Sequence, residues 1–226
     1  MSSSHQLNGP TLAPSNGEKA KKLVILLHGY GSDGQDLIGL GQYWTKDFPH
    51  VGFFSPNAPH QCGMNPMGYE WFPLAVERIG NKNTDYRGGA ESAYPAIRDF
   101  VLARTEEAGL ELGDVLLGGF SQGAMMALYT GLRFETPLAG ILGFSGKMID
   151  LDQAGEVIKS KPPVCLVHGE MDEVVPLAGS IDAAAALEAQ GLDVRLKQCP
   201  GTGHGISMDG LEFAAAFLSQ HLGKGA

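Results

Sequence analysis

Apolar positions along this chain fall into short unbroken runs, separated by longer stretches with helical spacing. "KLVILLH" (22–28), "VGFFSPN" (51–57), "DVLLGGF" (114–120), "LAGILGFSG" (138–146), "PVCLVHG" (163–169) and "DVRLKQCP" (193–200) read as strands. Their apolar residues are continuous rather than alternating, as in strands covered on both faces. Between them, 34–48, 88–109, 121–133, 176–190 and 206–222 read as helices. The Ala-rich segment 180–190 is followed by Gly191, a stop signal. Strands that alternate with helices predict βαβ crossovers, hence an α/β domain with a mostly parallel sheet and helices on both faces. In such sheets, chemistry gathers beyond the C-terminal strand ends.

Two stretches lie outside that pattern. Residues 1–20 are rich in Ser, Gly, Pro and Asn and read as a flexible tail before a single catalytic domain over 21–226. Residues 58–74, "APHQCGMNPMGYEWFPL", have no clean period and read as an ordered excursion. Met64, Met67, Trp71 and Phe72 lie there, and large soft or flat side chains suit an adaptable apolar groove.

Composition narrows the function classes. The 226 residues carry a net charge of −9, which argues against a nucleic-acid backbone as partner. The three cysteines, Cys62, Cys165 and Cys199, have no metal or redox spacing and read as free thiols. The polar N-terminus has no apolar signal region, and no run approaches the roughly 20 residues of a membrane span. These features predict a cytoplasmic protein.

Gly29, Gly31 and Gly34 form a GxGxxG pattern after a strand. A dinucleotide site also needs an acidic residue about 20 positions on. That region, "FFSPNAPH", has none, so a nucleotide-dependent oxidoreductase is disfavoured. Gly119-Phe120-Ser121-Gln122-Gly123 is a GxSxG pattern between a strand and a helix. In that context the serine sits on a sharp turn, with its hydroxyl at the sheet edge and a helix N-terminus behind it. A serine needs a base, and the partners follow in the order acid, then histidine. Of seven histidines, His204 alone lies at a strand's C-terminal edge after a plausible acid. Glu170, Asp172 and Glu173 are the acids after "PVCLVHG"; Asp172 fits a short reach and Glu170 is the runner-up. The glycine-rich loop at 29–34 then supplies a backbone N–H, that of Tyr30, which with that of Gln122 forms an oxyanion hole.

"LHGYG", "YEWF", "GGFSQGAMMALY", "HGEMDEVVP" and "GTGH" occur in that order. The chain thereby resembles the carboxylesterase/phospholipase family of α/β hydrolases, which includes acyl-protein thioesterases and small bacterial esterases. The resemblance implies Ser121, Asp172 and His204 as a triad, Tyr30 and Gln122 as oxyanion donors, and Trp71 and Phe72 as an acyl-binding wall. It implies hydrolysis of a small acyl ester, thioester or lysophospholipid through an acyl-enzyme, with no metal or cofactor. Homodimers occur among the relatives. Two positions depart from the family pattern: Ala124 replaces a second glycine, and Tyr30 replaces a frequent leucine. The Tyr30 side chain is expected to narrow the groove. A non-catalytic binding protein on the same fold is the alternative, though such proteins usually lack the serine or the histidine, and both are present.

Overall fold

The computed structural model describes residues 7–74 and 85–224. In chain order, the first part holds β1 (Thr11–Leu12), β2 (Lys22–Leu27), α1 (Gly34–Trp44), β3 (Val51–Phe54), β4 (His60–Gln61) and β5 (Tyr69–Glu70). The second part holds α2 (Tyr86–Ala108), β6 (Val115–Phe120), α3 (Gln122–Gly131), β7 (Gly140–Phe144) and α4 (Ala154–Val157). It ends with β8 (Val164–Gly169), α5 (Ala178–Ala189), β9 (Val194–Cys199) and α6 (Met208–Leu222).

Seven strands form one sheet in the order β1-β3-β2-β6-β7-β8-β9. Only the β1–β3 pair is antiparallel. This is the expected single-domain α/β fold. The continuous apolar runs follow from burial on both faces. Leu23, Ile25 and Leu27 of β2 pack on the face covered by α2, α3 and α5. Val24 and Leu26 pack on the other face with Leu37 and Trp44 of α1 and Phe217 of α6. Among the described residues no helix is long and apolar enough to cross a membrane.

Part of the tail expected over 1–20 meets the domain, while residues 15–19 are exposed. Leu7 is buried, and Thr11 and Leu12 pair with Phe54 and Phe53 at the sheet edge. A two-residue strand has too short a pattern to show in the sequence; β3 supplies its partners. Residues 1–6, including His5, lie outside the described set.

The strand order places a switch point. From β2 the chain moves outward to β3, then returns to lay β6 on the opposite side of β2. Brought side by side, with Leu27 opposite Gly119, the two strands leave a crevice beyond their C-terminal ends. The loops after β2, β6, β8 and β9 all open on this edge.

Candidate active site

Ser121 links β6 to α3 with φ 53° and ψ −116°. A non-glycine residue in such a conformation costs on the order of 1–3 kcal/mol and persists only where its surroundings hold it. Here the Ser121 N–H donates to the Phe144 carbonyl at 2.8 Å. The flanking glycines are required by space. A Cβ on Gly119 would lie 2.3 Å from the Gly123 carbonyl carbon, and one on Gly123 would lie 1.8 Å from the Leu27 carbonyl oxygen. Strand, turn and helix therefore touch backbone to backbone, and Ser121 is only 8% exposed.

His204, in the loop between β9 and α6, reaches Ser121. Its Nε2 lies 3.0 Å from Ser121 Oγ, and its Nδ1 lies 2.7 Å from Asp172 Oδ2. The tautomer with hydrogen on Nδ1 donates to the carboxylate and leaves Nε2 free to accept the serine proton. Phe120 packs beside the imidazole, ring centroids 4.9 Å apart. Gly169 makes room for this approach: a Cβ there would meet the carbonyls of Thr202 and Gly203 at 2.3 and 2.4 Å.

Asp172 sits in the turn after β8 with its side chain fully buried. Its Oδ1 accepts from the Val174 and Val175 amides at 2.9 and 2.8 Å. Burial alone would raise this carboxyl. The His204 N–H and the Val175 and Val174 amides together outweigh burial and hold it below the ordinary carboxylate range. Asp172 is thus ionised wherever His204 needs its partner. Glu170 and Glu173, from the same loop, are exposed.

The turn after β2 runs against Ser121; a Cβ on Gly29 would lie 3.5 Å from the Ser121 Cβ. Among the described residues the N–H groups of Tyr30 and Gln122 meet no acceptor. Two buried side chains set this turn. His28 donates from Nδ1 to the Gly29 carbonyl at 2.8 Å and accepts the Ala58 N–H at Nε2 at 3.0 Å. Burial lowers its pKa, so the ring is neutral. Trp71 donates its indole N–H to the His28 carbonyl at 2.9 Å and lies against the His28 ring.

The excursion at 58–74 proves to be a brace. Its two short strands, β4 and β5, pair with each other. The Gln122 side chain accepts the Trp71 N–H at 3.0 Å and donates to the Phe72 carbonyl at 2.8 Å. Trp71 and Phe72 are 0% and 1% exposed, whereas Met64 and Met67 are 57% and 85% exposed. The four residues expected to line one groove therefore part company. Two lie in the core and two stay on the surface. Tyr30, expected to narrow the groove, directs its hydroxyl toward Cys62 and Glu70 of this segment. Burial first, then those two contacts, raise its pKa above the ordinary phenol value.

The glycines of the GxGxxG pattern serve the turn. Gly31 has φ 76°, and a Cβ on Gly34 would lie 1.9 Å from the Ser55 carbonyl. Asp33 caps α1, Asp36 follows in its first turn, and the Gly34 N–H is taken by Asn57. Two carboxylates at this helix start oppose a phosphate. Among the described residues no group of three or more His, Cys, Asp or Glu side chains is arranged to hold a metal ion.

His28, His168 and the Gln122 side chain were not assigned roles from the sequence. A signal was present: both His28 and His168 end a strand directly before a glycine.

Residues 12–222 match the family model described as phospholipase/carboxylesterase. Acyl-protein thioesterase 1 of Gibberella zeae is 29% identical over 217 residues, covering 88% of this chain and 90% of that protein. Esterase YpfH of Escherichia coli is 29% identical over 206 residues, covering 91% and 85%. The crystal structure of esterase PE8 superimposes with a TM-score of 0.93 at 51% identity, covering 96% of this chain and all of that one.

Proposed function

The chain belongs to the phospholipase/carboxylesterase family, and from that premise we propose that it cleaves carboxylic esters or acyl thioesters with Ser121 as nucleophile, His204 as base and Asp172 as orienting acid. The observation that carries this reading is the continuous relay of 3.0 Å from Ser121 Oγ to His204 Nε2 and 2.7 Å from His204 Nδ1 to Asp172 Oδ2.

The steps follow from the geometry. Ser121 Oγ attacks the acyl carbonyl carbon while His204 Nε2 takes its proton. The carbonyl oxygen becomes an anion, and the N–H groups of Tyr30 and Gln122 receive it. Loss of one such donor typically costs about 10²–10³ in rate. The tetrahedral intermediate collapses, the alkoxide or thiolate leaves with the proton from His204, and the acyl group stays on Oγ. Water, deprotonated by His204, then attacks the acyl-enzyme; the C–Oγ bond breaks as His204 returns that proton to Ser121 Oγ, and the acid is freed. Throughout, Asp172 remains ionised and stabilises the imidazolium. The reading places the protein in the cytoplasm, a location that suits three buried free thiols.

Replacement of Ser121 by Ala tests the nucleophile. Hydrolysis of p-nitrophenyl acetate should fall to background with the circular dichroism spectrum unchanged. Asp172→Asn should lose orders of magnitude in kcat, with about 10⁴ the precedent in an unrelated serine protease, and Glu170→Gln should lose little. Activity retained in Ser121→Ala, or greater loss in Glu170→Gln than in Asp172→Asn, would overturn the assignment.

A further inference from the structure

A second imidazole meets the carboxylate that orients His204. His168, the penultimate residue of β8, is fully buried. Its Nε2 lies 2.8 Å from the Val175 carbonyl and 3.3 Å from Asp172 Oδ2. A carbonyl oxygen only accepts, so Nε2 carries a hydrogen. That hydrogen is donated to the Val175 carbonyl, and Asp172 Oδ2 lies close to the same nitrogen. At the other side of the ring, Nδ1 lies 2.7 Å from the Ser180 hydroxyl in α5, and the same hydroxyl lies 3.1 Å from the Gly146 carbonyl. The ring is therefore clamped between the loop that carries Asp172 and a helix that does not otherwise reach the relay.

Both oxygens of Asp172 are occupied in a defined way. Oδ1 takes the Val174 and Val175 amides, and Oδ2 faces His204 and His168. His168 holds the Val175 carbonyl, and the Val175 amide holds Asp172 Oδ1. Val175 is thus fixed through both of its backbone polar groups. The carboxylate plane cannot rotate without breaking one of these contacts.

We propose that His168 is a positioning residue for Asp172: its Nε2–H fixes the 172–175 turn so that Oδ2 points at His204 Nδ1. His168 does not touch the substrate and acts through Asp172 alone. The inference rests on the triad reading above.

The test is a double-mutant cycle on p-nitrophenyl acetate hydrolysis. His168→Leu keeps an apolar side chain of similar bulk and removes both ring nitrogens. Residues that support metal-ligating side chains matter by about 10–100-fold, and a fall in kcat on that scale is expected here, with KM within about two-fold. His168→Gln places an amide N–H near the Nε2 position and should recover most of the loss. In an Asp172→Asn background, His168→Leu should cost less than about three-fold further, because the residue it positions is already disabled. If His168→Leu does not fold, Ser180→Ala takes its place in the same cycle, with a smaller loss of the same dependence on Asp172. The inference is overturned if kcat is unchanged in the variant, if the loss persists in full without Asp172, or if Gln is no better than Leu. A crippled Asp172→Asn beside an intact His168→Leu sinks this inference only; an active Asp172→Asn sinks the triad reading beneath it.

Discussion

Trp71→Phe separates a residue that braces the turn after β2 from one that holds an acyl chain. The indole N–H donates to the His28 carbonyl at 2.9 Å, and Trp71 is fully buried. Phe retains the aromatic contact with His28 but leaves that carbonyl without its donor. An orphaned buried acceptor costs about 1–3 kcal/mol. The smaller ring leaves a void, at roughly 24 cal/mol per Å³ of unfilled volume. The sum, about 2–4 kcal/mol, is a large part of the 5–15 kcal/mol that stabilises a typical domain, yet it leaves the protein folded. Trp71→Ala would add a deeper cavity, so Phe is the informative choice. With the His28 carbonyl free to move, the Tyr30 N–H that follows loses its aim. Rate should therefore fall by a similar factor for every acyl chain, because every substrate makes the same oxyanion. Urea unfolding reports the stability loss, and kcat/KM is measured on acetyl, butyryl and hexanoyl p-nitrophenyl esters. A loss confined to the longer esters, with acetyl turnover intact, would refute this reasoning and restore Trp71 to an acyl wall.

Gly123→Ala should lower both Tm and activity, although alanine favours a helix by about 1 kcal/mol over glycine. A Cβ 1.8 Å from the Leu27 carbonyl must push β2 and the adjoining turn away from α3, and a shift of about 1 Å at a reacting centre costs on the order of 10²-fold; a raised Tm with unchanged kcat would show that the backbones are not in contact. Stability should also fall as pH drops below about 6.5, the ordinary histidine value. His28 has a pKa lowered by burial in the folded state, so the unfolded chain binds its proton first and gains on protonation. Asp172 acts in a different window: its contribution is present above the ordinary carboxyl value near 4 and is lost only as pH falls through its lowered folded value. Thermal melts from pH 7.5 to 5.5 should show the decline, and His28→Gln should reduce its slope; an unchanged slope would mean that His28 does not titrate this way.

Much of the sheet was legible because its central strands are buried on both sides. The apolar runs over 22–28, 114–120 and 163–169 map closely onto β2, β6 and β8. The helix expected over 88–109 runs from Tyr86 to Ala108, straight through Pro95. What escaped reading depends on partners distant in sequence. Thr11 and Leu12 form a strand only because Phe53 and Phe54 present a free edge. Trp71 and Phe72 show no period because their partners are distant in sequence: the Trp71 indole donates to the His28 carbonyl, 43 residues away, and the Phe72 carbonyl accepts from the Gln122 side chain, 50 residues away. At the site, chain order and strand-end position singled out Ser121, Asp172 and His204, which the fold draws into one hydrogen-bonded row. The contact of His168 with Asp172 was out of reach, since a histidine that ends a strand reads the same whether it packs or positions.

Covalent labelling of Ser121 tests the central claim most directly. The protein is incubated with a fluorophosphonate ester, and intact mass spectrometry with peptide mapping counts and locates the adducts. The account predicts one adduct per chain, on Ser121, with loss of hydrolysis in proportion, and no adduct in His204→Ala over the same interval because the hydroxyl lacks its base. Absence of an adduct on Ser121, or full activity in the labelled protein, would contradict it.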